Sequence, residues 1–136
     1  MDNETVMRRI YQDVVTEGNI DLLDELMAGD YVEHEDIPGF APTRAGAKEF
    51  FTVLRRAFPD VTMTVEDLLA VGDTVATRVT MTGTHRAEFM GVAATGRRVE
   101  VPGMDFIRFA DGRAVEHWGM LDSMALLAQL GALETP

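Results

Sequence analysis

Two dipeptides, Gly72-Asp73 and Asp111-Gly112, each lie between two runs of β-type residues, and they constrain the second half of the chain most. Both residue types tolerate the positive φ that a two-residue type I′ turn requires, so each dipeptide predicts a β-hairpin. One hairpin joins 61–71 to 74–85; the other joins 99–109 to 113–121. Directly across the second turn Ala110 meets Arg113. Period-2 alternation then places Glu116, Trp118, Met120 and Asp122 on one face, beside Val101, Gly103, Asp105 and Ile107. The same rule sets Asp67 opposite Arg78 in the first hairpin, a cross-strand ion pair worth ~0.2–1 kcal/mol. Asp122 is thereby expected on a mostly apolar surface with a large ring.

The first half has helical periodicity. Asp2 or Asn3 can cap a helix running to about Glu17, with Val6, Ile10, Val14 and Met7, Tyr11, Val15 as adjacent apolar rows. Gly18 suits its end, and Asn19 can cap a second helix with Leu22, Leu23, Leu26 and Met27 inward, closed by Gly29. An extended piece follows over 31–35, then a loop with Pro38, Gly39 and Pro42. Thr43 caps a third helix with Ala47, Phe50, Phe51, Leu54 and Phe58 on one side, stopped at Pro59. Residues 123–130 predict a short last helix. Three amphipathic helices need a sheet to cover, so the order α-α-β-α-β-β-β-β-α predicts an α+β domain with a strongly bent antiparallel sheet wrapped around the helices.

The 136 residues suit a single domain, 1–136, able to bury roughly two-thirds of its unfolded surface. Lys and Arg total 12 against 23 Asp and Glu, a net charge of -11, which disfavours nucleic acid and anionic lipid as partners. Without cysteine there is no disulfide, thiolate metal site or cysteine nucleophile. The polar N-terminus and the lack of a membrane-length apolar run predict a cytoplasmic protein.

The candidate chemical residues are few. Asp122 precedes the last helix, where it is either an N-cap with a lowered pKa or, if buried beside Trp118 and Met120, an acid/base group with a raised one. Asp105, opposite Trp118, lies on the order of 13 Å from Asp122 along the strand, too far to share a proton. It reads as a polar contact to substrate or a structural group. His34, before the Pro/Gly loop, and His85, before loop 86–97, are candidate substrate contacts. His117 falls on the face opposite Asp122, as an interface or surface residue. Tyr11 points its hydroxyl into the core or a pocket, where it needs a partner. Phe51, Met104 and Met120 suit an adaptable apolar cavity. No HExxH or tight His spacing supports a metal site.

The stretches "FMGVAATGRRVEVPGMDFIRFADGRAVEHW…D…LLAQLGA", "YQDVVTEGNIDLLDELMAGDYVEHE" and "FPDVTMTVEDLLAVGDTVATRVTMTGTH" span nearly the whole chain. They resemble the SnoaL-like polyketide cyclases, also called ester cyclases, of the nuclear-transport-factor-2-like superfamily. The resemblance implies a cone-shaped α+β barrel, a pocket between bent sheet and helices, and a homodimer through the outer sheet face. It implies an intramolecular aldol closure in secondary metabolism, driven by one aspartate without metal or cofactor, and that aspartate matches Asp122. A conjugated, polyketide-like carbonyl compound is the expected substrate, with Trp118 drying the site and Tyr11, His34 and Asp105 as further contacts. Two alternatives stand beside it: a hydrolase or hydroxylase of the superfamily, and a non-catalytic binder of a hydrophobic small molecule. An epoxide hydrolase would need a carboxylate–arginine–carboxylate cluster, for which Arg78 with Asp67 is the nearest candidate.

Overall fold

Helix α1, Asn3–Arg9, starts where Asp2 accepts a hydrogen bond from the Thr5 N–H at 2.8 Å, the cap the sequence predicts. The computed structural model describes residues 1–133. After Arg9 the backbone does not stop but widens into a π-helical segment, Ile10–Thr16. The wider turn keeps Ile10, Tyr11, Val14 and Val15 all buried, where a strict α-helix would rotate part of that set outward. Gly18 turns the chain with a φ of 88° into a 3₁₀ turn, Ile20–Leu22, and the short helix α2, Leu23–Leu26.

Strand β1, Met27–Glu33, begins earlier than the sequence suggests, so Gly29 lies within a strand instead of ending a helix. Helix α3, Arg44–Ala57, is capped by Thr43, whose hydroxyl accepts from the Gly46 N–H at 3.2 Å. Four strands follow: β2, Thr62–Val71; β3, Thr74–Thr84; β4, Arg98–Ala110; and β5, Arg113–Leu121. Helix α4, Ser123–Gln129, closes the described chain. The sheet order is β1-β5-β4-β3-β2. It is mixed, because β1 joins β5 in parallel while the other neighbours run antiparallel. The α+β architecture is as expected, but the curled sheet stays open, with β1 and β2 as its edges.

Odd-numbered positions of β3 and β4, such as Val75, Val79, Val101 and Ile107, are buried under the helices. Two packed clusters form. One joins the first helical segments to the sheet, and the other lies beneath α3 and α4. Both hairpins form; Asp111 at φ 52° and Gly112 at φ 75° both take the positive φ of a type I′ turn, whereas in the first turn only Gly72 does, at 58°. Asp67 and Arg78 pair at 2.8 Å, half-exposed on the outer face.

The second hairpin departs from the simple register. Ala110 pairs with Arg113 and Phe109 with Ala114, but Arg108 then pairs with Glu116. Val115 is therefore an extra residue, a β-bulge. Because side chains alternate with period 2, this one-residue shift exchanges the two faces of the rest of β5. His117, Gly119 and Leu121 turn toward the helices, and Trp118 and Met120 turn away. Among the described residues no helix is long and apolar enough to cross a membrane.

Candidate active site

Between the π-helical segment, α3, β1 and the inner sheet face lies a cavity of about 360 Å³, within the range of small-molecule sites. Its walls are mainly apolar, including Ile10, Phe50, Phe51, Leu54, Met63 and Met81. Its polar groups converge from separate elements. The bulge brings His117 onto the inner face of β5, next to Asp105 of β4, and the parallel pairing of β1 sets Glu33 directly beside His117.

The result is one continuous network. His117 donates from Nε2 to Asp105 Oδ1 at 2.6 Å and from Nδ1 to Glu33 Oε2 at 2.5 Å. Tyr11 donates to Asp105 Oδ2 and pairs with Thr77 Oγ1 at 2.6 Å. Tyr31 donates to Glu33 Oε1 at 3.2 Å. The ion-pairing side chains are largely buried, with 12% of His117, 11% of Glu33 and 19% of Asp105 exposed.

Burial alone would favour neutral imidazole. The hydrogen bonds and charges of Asp105 and Glu33 outweigh it and raise the His117 pKa to about 10. At neutral pH His117 is thus a cation between two carboxylates. Burial pushes the phenols of Tyr11 and Tyr31 upward, reinforced by Asp105 and Glu33 respectively, so both stay protonated donors. Burial also raises the Glu35 carboxyl to about 7; the His117 cation opposes this, and Glu33 and Asp105 reinforce it. The two carboxylates of the network sit on opposite nitrogens of one ring and do not converge on a common point. Among the described residues no three His, Asp or Glu side chains are grouped to hold a metal ion.

Gly119 makes the central contact possible. It lies directly across from Asp105, and a Cβ there would fall within overlap distance of Asp105 Oδ1 and 2.5 Å from His117 Nε2. A side chain at this position would occupy the space where the two groups meet.

Of the residues singled out from sequence, Tyr11, Asp105, His34, Phe51 and Met120 line the cavity, Met120 while four-fifths exposed. Trp118 does not: the bulge turns it to the outer face, where its ring stacks on His34 at 4.6 Å. Met104 is on that outer face as well, and 63% exposed. His85 is fully buried away from the cavity, stacked on Phe58, with Nδ1 accepting from the Thr95 N–H at 3.2 Å.

Asp122 is exposed, accepts from the Ala125 N–H at 2.9 Å as the cap of α4, and does not line the cavity. Its place beyond the end of β5, next to free helix amides, decides this. The register without a bulge hid His117 and also set Asp105 opposite Trp118. The adjacent apolar pair Ala114-Val115, a break in alternation, was the available signal. Glu33 and Glu35 share the period-2 face of Tyr31, but no local signal places that face beside β5.

The model of the SnoaL-like polyketide cyclase family matches residues 5–130. IdmH from Streptomyces antibioticus, a proposed polyketide cyclase, is 38% identical over 96% of this chain and 99% of its own, with a TM-score of 0.83. TsrD from Streptomyces laurentii is 26% identical, with a TM-score of 0.88 over 98% of this chain and 99% of that one. AclR from Streptomyces galilaeus, a proposed hydroxylase, is 30% identical over 97% of both chains, with a TM-score of 0.83. Among curated proteins no sequence matches significantly. With the family model spanning nearly the whole chain and solved relatives sharing its fold end to end, the chain belongs to the SnoaL-like polyketide cyclase family.

Proposed function

We propose that this chain is a cytoplasmic, cofactor-independent acid/base enzyme of secondary metabolism that closes a ring in a conjugated, polyketide-like carbonyl compound by an intramolecular aldol step. The carrying observation is the Tyr11–Asp105–His117–Glu33 network at the polar end of an otherwise apolar cavity. Such a site needs to hold a nucleophilic carbon against a carbonyl, exclude water and supply charge complementarity to the enolate. The His117 cation offsets the developing negative charge, and Tyr11, whose single hydrogen goes to Asp105, holds that carboxylate in place. The apolar walls fold the remaining chain of the substrate.

Asp122 has no part in this reading, which a paired substitution tests. With a δ-diketone that closes to an ultraviolet-absorbing cyclohexenone, Asp105→Asn is expected to lower turnover about a hundredfold. Asp122→Ala is expected to keep turnover while costing ~1 kcal/mol of stability through the lost cap. The reverse pattern would move the chemistry to Asp122. Resemblance to AclR favours a second reading, in which the cavity holds an aromatic ketone for hydroxylation. A product one oxygen heavier than the substrate would favour it. The only carboxylate–arginine pair suggested for epoxide opening, Asp67 with Arg78, is on the outer face away from the cavity.

The outer face also supports a homodimer. Leu69, Ala76, Phe106 and Trp118 are successive cross-strand neighbours, with Met104 and Met120 in the adjacent row. Phe106 is 50% and Met120 80% exposed, and such an apolar band on a sheet calls for cover. Light scattering is expected to give twice the chain mass, and Phe106→Asp to give a folded monomer. A wild-type monomer at micromolar concentration would exclude this interface.

A further inference from the structure

Asp105 and Glu33 are both occupied by donors that belong to the fold: His117 and Tyr11 for one, His117 and Tyr31 for the other. Glu35 differs. It is half-buried in the cavity wall, yet among the described residues its carboxyl makes no hydrogen bond or ion pair. Only its backbone N–H is engaged, donating to Glu33 Oε2 at 3.3 Å. It extends from the loop after β1, on the same alternating face as Tyr31 and Glu33. The charged groups bearing on it are Glu33 of β1, Asp105 of β4 and His117 of β5, with His34 and Asp36 beside it in the chain.

We infer that Glu35 is the catalytic base that removes the proton α to the substrate carbonyl and returns it to the new alkoxide, while the His117 cation beside it offsets the charge that develops on the oxygen. This rests on the acid/base reading above and adds the residue that handles the proton. The balance is closed. The substrate C–H bond breaks as the Glu35 O–H bond forms; the enolate carbon then attacks the second carbonyl carbon, forming the C–C bond. The resulting alkoxide takes the proton back from Glu35. No oxidant, reductant or external acid is consumed.

A free carboxyl near pH 7 suits both halves of this cycle, since a base is most effective when its pKa lies near the working pH. The neighbouring imidazole is raised as well, so that His117 stays cationic up to about pH 10. Titratable neighbours whose environments separate their pKa values divide acid and base roles in this manner.

The half-reaction can be followed without the natural substrate, as uptake of deuterium at the α-carbon of α-tetralone in D₂O. Wild-type protein is expected to catalyse exchange with a rate that rises as pH passes about 7, because the carboxylate is the active form. Glu35→Gln is expected to lose about a hundredfold or more and to lose that acid limb, with an unchanged melting temperature. If wild type exchanges and Glu35→Gln matches it while Asp105→Asn is impaired, Glu35 is not the base and the acid/base reading stands without it. If wild type gives no exchange above buffer, that reading fails and this inference with it. Should Glu35→Gln melt early, the test passes to Glu35→Asp. Residual exchange with a displaced acid limb supports the assignment, and an unmoved limb overturns it.

Discussion

Replacing His117 with glutamine is expected to destabilise the fold by ~3–5 kcal/mol at neutral pH and to abolish measurable ring closure. The ring is the only cation between Asp105 and Glu33, both largely buried, and removing one partner of such an arrangement leaves uncompensated charge in a poorly solvated place. The pH dependence gives the sign. The folded-state pKa of His117 is raised from the ordinary 6.5 to about 10, so its contribution is complete below pH 6.5 and is lost as pH rises through about 10. Denaturant titrations of wild type and variant should therefore differ most below about pH 6.5, still differ at neutrality, and converge in strong alkali. Equal stability of the two proteins at neutral pH would show that the imidazolium is not what holds the carboxylates together.

Gly119→Ala is the second large effect, because it adds a single methyl group where the network has no room. The new Cβ would overlap Asp105 Oδ1 and lie 2.5 Å from His117 Nε2 and 2.6 Å from His117 Cε1. Overpacking of this kind costs ~1–3 kcal/mol, and displacing a reacting group by about 1 Å can cost about a hundredfold in rate. Crystallography of the variant should show Asp105 and His117 separated, and turnover should fall while ligand still binds. An unchanged Asp105–His117 distance with full activity would mean that their contact is dispensable.

The architecture could be read from the sequence because its signals are local: the Asp2 and Thr43 caps, the apolar spacing of α3, and the turn chemistry of both hairpins. The Asp67–Arg78 pair followed from one turn alone. The site was less legible, since it depends on a register offset arising several residues beyond the turn. Extrapolation from Asp111-Gly112 is correct for Phe109 with Ala114 and fails at Val115. Thus Tyr11 and Asp105 were recognised as polar groups worth attention, while their direct bond and the link from Asp105 through His117 to Glu33 were not. Glu33 and Glu35 were passed over because β1 starts at Met27, and its parallel seat beside β5 is a long-range fact that no local pattern carries. Asp122 had two futures at the sequence level, and its neighbour Ala125 supplies the amide that selects the cap.

The bulge at Val115 makes β5 a strand with a movable reading frame. Ahead of it the chain obeys the hairpin; beyond it, a single extra residue determines which side chains line the cavity and which lie on the outer face. Were Val115 drawn into the ladder opposite Arg108, the chain would keep its hydrophobic composition and its turn. It would nonetheless present an indole to the hollow and an imidazole to the outer face.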